Sequence, residues 1–452
     1  MTILLLALLG GCSFPFGKDK NQYCQGKNIP FPNPQDIKSL TLGEQAIAES
    51  GVVAQGSTVG YAFQAEVGQK LNYETNSNIC IRIYNPNRQL VDGDPFLKED
   101  RYMLQVYVPK GKTTFDLKMN LSISSSSHFQ TQAEPQQLVY NIKSLPQLKS
   151  SDRLNVIVTQ LVNLAAKQGK PTDALSITLI DVNSGEVAGY QPQRLRYPAS
   201  IVKLFWMVAI YAQLEAGIWQ SETEFASDLN QMIYQSDNQG ASRILDQITG
   251  ATSGSRLTGD EYEIWLDKRQ QINRFFQAAG YQGININQKT FPIPYLKDYG
   301  ERPTGRDAQI RGNTEPPIRN KISTEQAARL MYEIVQGEAV SQEYSNLMKQ
   351  KLTRDLRREV WEKIDINQEF NPILGFLGES LSAPSLLTNI EFLSKAGWTK
   401  NTRQEVAYIA SKDGSFAYIL AVFAEDKSYA EDFQIFPQFS RLVYERMKNS
   451  SF

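Results

Sequence analysis

Histidine is almost absent from this sequence. The 452 residues contain a single histidine, His128. It follows four consecutive serines and precedes a phenylalanine, a context that has no feature of a rigid site. Catalysis by Ser-His-Asp or Cys-His groups is therefore disfavoured, and so are metal sites built from several histidines. If the protein is a hydrolase, its base is a different side chain.

An excess of charge of one sign is also missing. The 47 Lys and Arg residues nearly balance the 48 Asp and Glu residues, and the formal net charge is -1. Nothing in this balance attracts a polyanion, so we predict no nucleic-acid partner, and we predict no cofactor and no metal ion. The chain is longer than one hydrophobic core usually organises, which predicts two domains.

Cysteine is scarce as well, with three residues, and their positions are informative. Cys12 follows an apolar stretch that is too short to cross a bilayer but suits a secretory signal. Leu9-Gly10-Gly11-Cys12 resembles the lipobox of bacterial lipoproteins. This resemblance implies that residues 1–12 are a lipoprotein signal and that Cys12 is lipidated. The protein would then be secreted to the cell envelope and lipid-anchored at a membrane, on the periplasmic side.

The same resemblance leaves Cys24 and Cys80 as a possible disulfide pair in an oxidising compartment. The alternative is a hydrophobic start to the chain with three free thiols. No feature of the sequence indicates an oligomeric state.

Composition divides the remaining chain into four segments. Residues 13–50 are rich in Pro, Asn, Lys and Gly, which predicts a tether. Residues 51–121 alternate apolar and polar positions between turn formers, which predicts a small all-β sandwich. Residues 122–147 have a linker composition, and residues 148–452 mix helical and strand patterns as expected of one α+β catalytic domain.

The predicted sandwich has a loose resemblance of its own. Tyr61-Ala-Phe63 with Gly68-Gln69, followed by an Ile-Tyr-Asn-Pro-Asn turn from Ile83, looks like the pre-peptidase C-terminal type of bacterial sandwich. A spacer or docking module without chemistry is the simpler interpretation.

Ser200-Ile201-Val202-Lys203 begins a segment that is apolar on nearly every face, which is typical of a buried helix. A spacing of three places the Ser200 hydroxyl and the Lys203 amine one turn apart on the same face. Burial lowers the pKa of a lysine, so such an amine can accept a proton without histidine. A surface helix carries this spacing often, so the motif alone does not decide the function.

Two further motifs follow in the chain. Ser236-Asp237-Asn238 lies between two amphipathic segments, and Lys395-Ala396-Gly397 lies directly before a predicted strand pair. A glycine on an edge strand lets a substrate approach the backbone, while the lysine provides positive charge. A capping turn and a solvated loop lysine are the alternatives for each motif taken separately.

Together the three motifs resemble the serine β-lactamase and penicillin-binding protein superfamily, and most of all its class A β-lactamase branch. The resemblance covers residues 148–452 and implies a five-stranded antiparallel sheet flanked by helices, with a helical lobe beside it. By this resemblance Ser200 is the nucleophile, Lys203 its base, Ser236 the proton donor to the leaving nitrogen, Asn238 an orienting group and Lys395 the carboxylate attractor.

The resemblance also places binding groups around these five. The backbone N–H groups of Ser200 and Trp398 would form the oxyanion hole, next to Gly397. Ala396 replaces the usual Thr or Ser, so Thr399 or Arg403 would compensate in binding the substrate.

One expected element is missing. The class A branch normally has a Glu-x-x-Leu-Asn string whose glutamate activates the deacylating water, and this sequence has none. Glu301 and Glu315 are the nearest candidates for a deacylation base, but their neighbours differ from the family pattern.

Three functions therefore remain at this stage. The first is a class A β-lactamase-like hydrolase that acts on β-lactams or related amides. The second is a D,D-peptidase or penicillin-binding activity on cell-wall peptides with slow deacylation. The third is a non-catalytic protein that binds glycan or peptide at the cell envelope.

Overall fold

The computed structural model describes residues 29–66, 69–75, 79–86, 90–91, 100–123, 146–293, 296, 302–366 and 369–449. The chain divides into two compact units, Met1–Ala133 and Glu134–Phe452. This division falls inside the segment that the sequence predicts as a linker. Among the residues described, no helix combines the length and the apolar character needed to cross a bilayer.

The first unit is built from two β-sheets. Its strands are β1 Ile37–Ser39, β2 Ile47–Ala54, β3 Thr58–Ala65, β4 Gln69–Thr75, β5 Cys80–Tyr84, β6 Leu90–Val91, β7 Asp100–Tyr107 and β8 Lys112–Ile123. One sheet has the order β1-β3-β7-β5-β6 and the other the order β2-β8-β4. Apolar side chains from both sheets, among them Phe63, Leu104, Phe115 and Leu117, form a single core.

This all-β unit agrees with the predicted sandwich but begins earlier. β1 and the first residues of β2 lie in the segment predicted as a tether, and β1 pairs with β3 in parallel rather than antiparallel orientation. β1 has three residues, too few for a run of alternating apolar and polar positions, so the period-two pattern could not reveal it. A single 3-10 turn, Pro34–Asp36, precedes it.

A six-stranded sheet is the centre of the second unit. Its strands are β9 Lys149–Ser150, β10 Leu175–Asp181, β11 Glu186–Tyr190, β12 Ile390–Thr399, β13 Thr402–Ser411 and β14 Ala417–Ala424. The order is β12-β13-β14-β10-β11-β9, so β12 is an edge strand. Five strands run antiparallel as predicted, and the two-residue β9 adds a short parallel pairing with β11.

Helices surround this sheet. In chain order they are Asp152–Lys167, Val202–Glu215, Ala226–Tyr234, Asn238–Thr249, Gly259–Ala278, Gly305–Gln309, Thr324–Val335, Gln342–Leu352, Arg358–Trp361, Pro384–Leu387, Lys427–Ala430 and Ile435–Lys448. Short 3-10 turns occur at Thr172–Ala174, Ala199–Ile201, Glu222–Glu224 and Glu379–Leu381. The mixed α+β architecture is the predicted one.

The sheet separates two hydrophobic cores. On β14, Ile419, Ala421 and Phe423 point into one core, while Leu420 and Val422 point into the other, as the alternation of a strand requires. The first core contains the helix Val202–Glu215, on which every residue from Val202 to Gln213 is buried. The helices Asp152–Lys167 and Ile435–Lys448 cover the second core.

Of the three cysteines, the structure describes Cys80. Cys80 is disulfide-bonded. Cys24, its predicted partner, and Cys12, the predicted lipidation site, lie outside the described residues, so the pairing and the lipid remain predictions.

Candidate active site

Ser200 is the middle residue of the 3-10 turn Ala199–Ile201, which continues directly into the helix Val202–Glu215. The chain ahead of it is fixed at Tyr197, whose N–H donates to Glu425 Oε1 at 2.7 Å and whose carbonyl accepts from Gln404 Nε2 at 2.7 Å. Ala199 has a φ of 47°, a conformation that is strained for a residue with a Cβ. Ser200 is therefore held on a constrained turn, and within the described part of the chain its hydroxyl makes no hydrogen bond.

Lys203 lies one turn further along, with its side chain fully buried. Its Nζ donates to the carbonyl oxygen of Ser236 and, at 2.8 Å, to Asn238 Oδ1. Burial lowers the pKa of Lys203 to about 7, and the Asp237 carboxylate opposes this only in part. At neutral pH a large fraction of this amine is therefore uncharged.

Lys395 lies on the edge strand β12 and also contacts Ser236. Its Nζ donates to Ser236 Oγ at 2.9 Å and to the carbonyl of Ala396 at 2.8 Å. Burial, and then the nearby charges of Lys203 and Arg354, lower the pKa of Lys395 well below its ordinary value. Ser236 thus touches both lysines, one through its carbonyl and the other through its hydroxyl.

Two local conformations present Ser236 in this way. It follows the helix Ala226–Tyr234 with a φ of 56°. Asp237 then caps the next helix, because its Oδ1 accepts from the Gly240 N–H at 2.6 Å. This cap places Asn238 at the start of the helix Asn238–Thr249, with its amide oxygen on Lys203.

Gly397 allows β12 to lie directly against the Ser200 turn. A Cβ built on Gly397 would be 2.8 Å from the backbone nitrogen of Ser200 and 3.1 Å from Ala199 Cβ. A larger residue does not fit without moving one of these backbones. The predicted oxyanion-hole donors, the N–H groups of Ser200 and Trp398, consequently belong to two adjoining backbone segments.

An arginine that sequence reasoning missed connects the second and third motifs. Arg354 is buried, and its guanidinium donates to the Ile233 carbonyl at 2.8 Å and to the Ser394 carbonyl at 3.0 and 3.2 Å. Ile233 lies three positions before Ser236, and Ser394 immediately precedes Lys395. We call these contacts the Arg354 clamp. A single arginine between Thr353 and Asp355 has no sequence signal that points to this role.

Glu405 is a second buried charge near the site that had no signal. It pairs with Ala396 across β12 and β13, so both side chains lie on the sheet face opposite Lys395. Burial raises the pKa of Glu405 to about 8, although its Oε2 accepts from the Leu377 N–H at 2.7 Å. Gln404 and Glu425, which fix Tyr197, were missed for the same reason, since each acts across a long stretch of sequence.

Of the groups predicted to bind substrate, Arg403 has a different position from the expected one. It is fully buried, and its guanidinium donates to the carbonyls of Gly375, Tyr429 and Ala430 at 2.8, 3.1 and 2.8 Å. Arg403 is two positions from Glu405 on the same strand, so it shares the sheet face that points away from Lys395. Its charge therefore holds loops together.

Ala396 and Thr399 are also engaged outside the cleft. Ala396 is buried in the core on the face away from Lys395. The Thr399 hydroxyl lies 3.0 Å from that of Thr402 and accepts from the Asn401 N–H at 3.2 Å, so it closes the turn between β12 and β13.

Only one of the two candidate deacylation bases lies in the described part of the chain. Glu315 is exposed, and Glu301 lies outside the described residues. Within the described ranges, no carboxylate makes a hydrogen bond or ion pair with Ser200, Lys203, Ser236 or Lys395. No group of His, Cys, Asp and Glu side chains suited to a metal ion occurs in those ranges either.

A mostly apolar hollow of about 110 Å³ lies beside Trp398 and Arg403 at the end of the β12–β13 pair. Phe370, Trp398 and Phe433 contribute to its walls, and the Phe370 ring centroid is 5.9 Å from Lys395 Nζ. Trp398 is 45% exposed and is fixed by a 2.8 Å bond from its Nε1 to the Ala430 carbonyl.

These groups provide the parts of an acyl-transfer site. The Ser200 hydroxyl, which has no partner among the described residues, lies one turn from an amine whose pKa is close to neutrality. Ser236 accepts from that amine through its carbonyl and from the Lys395 amine through its hydroxyl. Such an arrangement can activate an oxygen nucleophile and return the proton to a leaving group without imidazole.

Comparison with known proteins supports this interpretation at the level of the family. Residues 156–447 match the model of the β-lactamase enzyme family. No curated protein sequence matches the chain at a significant level. Solved structures with a similar fold include a β-lactamase from Sphaerobacter thermophilus, with 17% identity, a TM-score of 0.44 and coverage of 65% of this chain and 97% of that one.

Two others are the protein PBP-A, with 16% identity, a TM-score of 0.44 and coverage of 68% and 100%, and a class A β-lactamase from Mycobacterium abscessus, with 15% identity, a TM-score of 0.42 and coverage of 64% and 98%. The family match spans well over half of the 452 residues and contains all three motifs. This chain belongs to the β-lactamase enzyme family.

Proposed function

We propose that the protein is a serine hydrolase that forms an acyl-enzyme on Ser200 with β-lactams or related amides. The observation that carries the proposal is the double contact of Ser236, whose carbonyl accepts from Lys203 and whose hydroxyl accepts from Lys395. Burying two amines beside one serine lowers the free energy of unfolding, and a role in acyl transfer explains why the protein would keep them there.

The acylation step follows from the hydrogen bonds. A neutral Lys203 amine has two N–H groups, and the Ser236 carbonyl and Asn238 Oδ1 accept both, which leaves the nitrogen lone pair to take the Ser200 proton. Ser200 Oγ then attacks the amide carbon, and the developing oxyanion faces the N–H groups of Ser200 and Trp398.

The leaving nitrogen needs a proton as the C–N bond breaks. Ser236 Oγ accepts a hydrogen bond from Lys395, so its own O–H remains available to donate to that nitrogen. Ser200 loses its proton to Lys203, the leaving amine takes one from the Ser236 hydroxyl, and the protonated Lys395 amine that donates to Ser236 Oγ restores that hydroxyl. A substrate carboxylate that binds beside Lys395 would favour the protonated form of its amine, which burial alone disfavours.

Release of the acyl group distinguishes two versions of this function. No described carboxylate contacts the reacting groups, and the missing Glu-x-x-Leu-Asn string agrees with that. Both observations favour slow deacylation, as in a D,D-peptidase or penicillin-binding activity on cell-wall peptides, over rapid β-lactam hydrolysis.

Covalent labelling with a fluorescent penicillin tests the proposal. We expect the wild-type protein to be labelled with 1:1 stoichiometry and Ser200→Ala to remain unlabelled. Ser227→Ala, which changes an exposed serine on a nearby helix, is the matched control and should label normally. Equal labelling of the wild type and Ser200→Ala would exclude acylation at Ser200. A wild-type protein that is not labelled at all would support the non-catalytic alternative.

A chromogenic cephalosporin separates the two versions. Persistent label with little colour supports slow release, whereas many turnovers per molecule support a β-lactamase.

We further propose that the chain is a lipoprotein of the cell envelope, anchored through Cys12. The support is the apolar stretch and the Leu-Gly-Gly-Cys string at its end. Expression of Cys12→Ser in a bacterial host tests this, because the variant should leave the membrane fraction while the unchanged chain stays in it. Retention of both in the membrane fraction would contradict lipid anchoring at Cys12.

A further inference from the structure

A second pocket lies on the helical side of the catalytic unit, away from the groups described above. It has a volume of about 390 Å³ and lies between the helix Gly259–Ala278, the extended segment around Asn287 and the chain from Gln309 to Ile318. Its size is within the range of small-molecule sites. We call it the amide pocket because of the side chains that line it.

Carboxamides dominate its lining. Six of them contribute, namely Gln270, Asn273, Asn285, Asn287, Gln288 and Gln309. Of the described residues that line the pocket, none is charged. The lining therefore offers donors and acceptors without a net charge, which suits neither a phosphate nor a carboxylate.

The local sequence explains how the amides converge. In the extended segment, Ile284 and Ile286 are buried in the hydrophobic core, and the Ile286 carbonyl accepts from Trp206 Nε1 at 2.8 Å. Asn285 and Asn287, which alternate with these two isoleucines, consequently point to the other side and line the amide pocket.

Some of these amides serve the structure. Asn273 donates to Asn285 Oδ1 at 3.0 Å and accepts from the Ile286 N–H at 2.8 Å. Gln309 donates to the Leu257 carbonyl and accepts from its N–H, both at 2.8 Å. These bonds fix the walls of the pocket in a single arrangement.

Asn287 and Gln288 have hydrogen-bonding groups that find no partner in the described part of the chain. Gln288 is 3% exposed, and both its Oε1 and its Nε2 are buried without a partner among the described residues. Asn287 is 2% exposed, and its Oδ1 has none. The backbone of Gln288 is fixed by Asn320, which accepts from its N–H at 3.0 Å and donates to its carbonyl at 2.7 Å. These side-chain atoms are covered in the structure, so a ligand in the amide pocket reaches them through a rotation of the side chain and then supplies the partners that they lack.

We propose that the amide pocket binds a neutral saccharide. A carboxamide donates and accepts at once, which matches the vicinal hydroxyls of a sugar. Tyr262 and Leu266 add an apolar wall for the C–H face of a ring, and the Tyr262 ring is supported by Trp265 at a centroid distance of 6.2 Å. This inference goes beyond the acyl chemistry and does not depend on it.

Saturation-transfer NMR and titration calorimetry on the full chain test the proposal, with maltose, cellobiose and N,N′-diacetylchitobiose as probes. We expect at least one probe to bind with a millimolar or lower Kd. Gln288→Leu, which keeps the volume but removes both polar atoms, should weaken binding by at least about tenfold. Tyr262→Ala, which removes the stacking wall, should also weaken it.

Two measurements keep the result interpretable. Gln350→Leu changes an exposed amide on another helix and should leave sugar binding unchanged. Labelling of Ser200 by penicillin should be unaffected in Gln288→Leu if the fold is intact, and Tyr262→Ala provides the second test if Gln288→Leu does not fold. Absence of binding by all three sugars, or binding that neither pocket variant weakens, would overturn the proposal.

Discussion

Lys203 depends on two acceptors and on the exclusion of water. Its pKa of about 7 means that it is mostly protonated below neutrality and mostly free above it. Since only the neutral amine can accept the Ser200 proton, we expect the rate of acylation by penicillin to rise with pH and to level off above about pH 8. Stopped-flow labelling at about pH 5.5–9 measures this profile.

Lys203→Ala should lower the acylation rate by at least about a hundredfold, the scale of a lost general base, and should lose the rise near pH 7. Lys363→Ala, at an exposed position, is the matched control. A wild-type profile that is flat across this range would contradict the role of Lys203 as base.

Gly397 is the residue whose side-chain volume matters most at the edge of the site. Because an added Cβ would be 2.8 Å from the Ser200 nitrogen, Gly397→Ala must push β12 away from the Ser200 turn. We expect acylation to slow by about a hundredfold, as a displacement near 1 Å can cause. Gly43→Ala is the control, since nothing lies within 4 Å of a Cβ at Gly43. Unchanged acylation in Gly397→Ala would show that this close approach is dispensable.

The Arg354 clamp acts between elements. Arg354→Leu would leave the buried carbonyls of Ile233 and Ser394 without donors, so we expect the free energy of unfolding to fall by about 2–4 kcal/mol. The acylation rate should fall as well, because the second and third motifs lose their shared anchor. Denaturant unfolding and labelling kinetics measure the two effects, with Arg358→Leu on an exposed side chain as control. A variant with full stability and full rate would exclude the clamp.

Elements also show what the sequence could predict. The helix after Ser200, the two helices around Ser236 and the strand pair after Lys395 were all predicted, because their patterns are local. Arg354 and Arg403 were missed or assigned differently, because each binds carbonyls far away in sequence. A motif records neighbours along the chain, whereas a buried arginine is explained only by neighbours in space.

The two units of the molecule have separate hydrophobic cores. The core of the first unit draws on residues between Val53 and Leu121, and the two cores of the second on residues from Leu154 onward. We therefore expect two transitions in calorimetry of the full chain. Acylation by penicillin should shift only the transition of the second unit, because only that unit holds the ligand. A single transition that shifts as a whole would show that the units unfold together.

At this scale the sequence predicted a small all-β domain ahead of an α+β domain, and the structure has both. The period-two pattern predicted β3, β4, β5, β7 and β8 but not the two-residue β6, and the short β1 and the start of β2 lie in a segment whose composition resembles a tether. Composition averages over many residues, so it cannot detect a strand of three.

The buried helix Val202–Glu215 also bears on how this protein can change over time. From Val202 to Gln213 each of its side chains is buried, so a larger side chain introduced there cannot extend into solvent. Neutral drift is therefore confined to the loops and outer helices that border the cleft. Adaptation to a new substrate would have to change those loops and outer helices, while the buried helix keeps its sequence nearly unaltered.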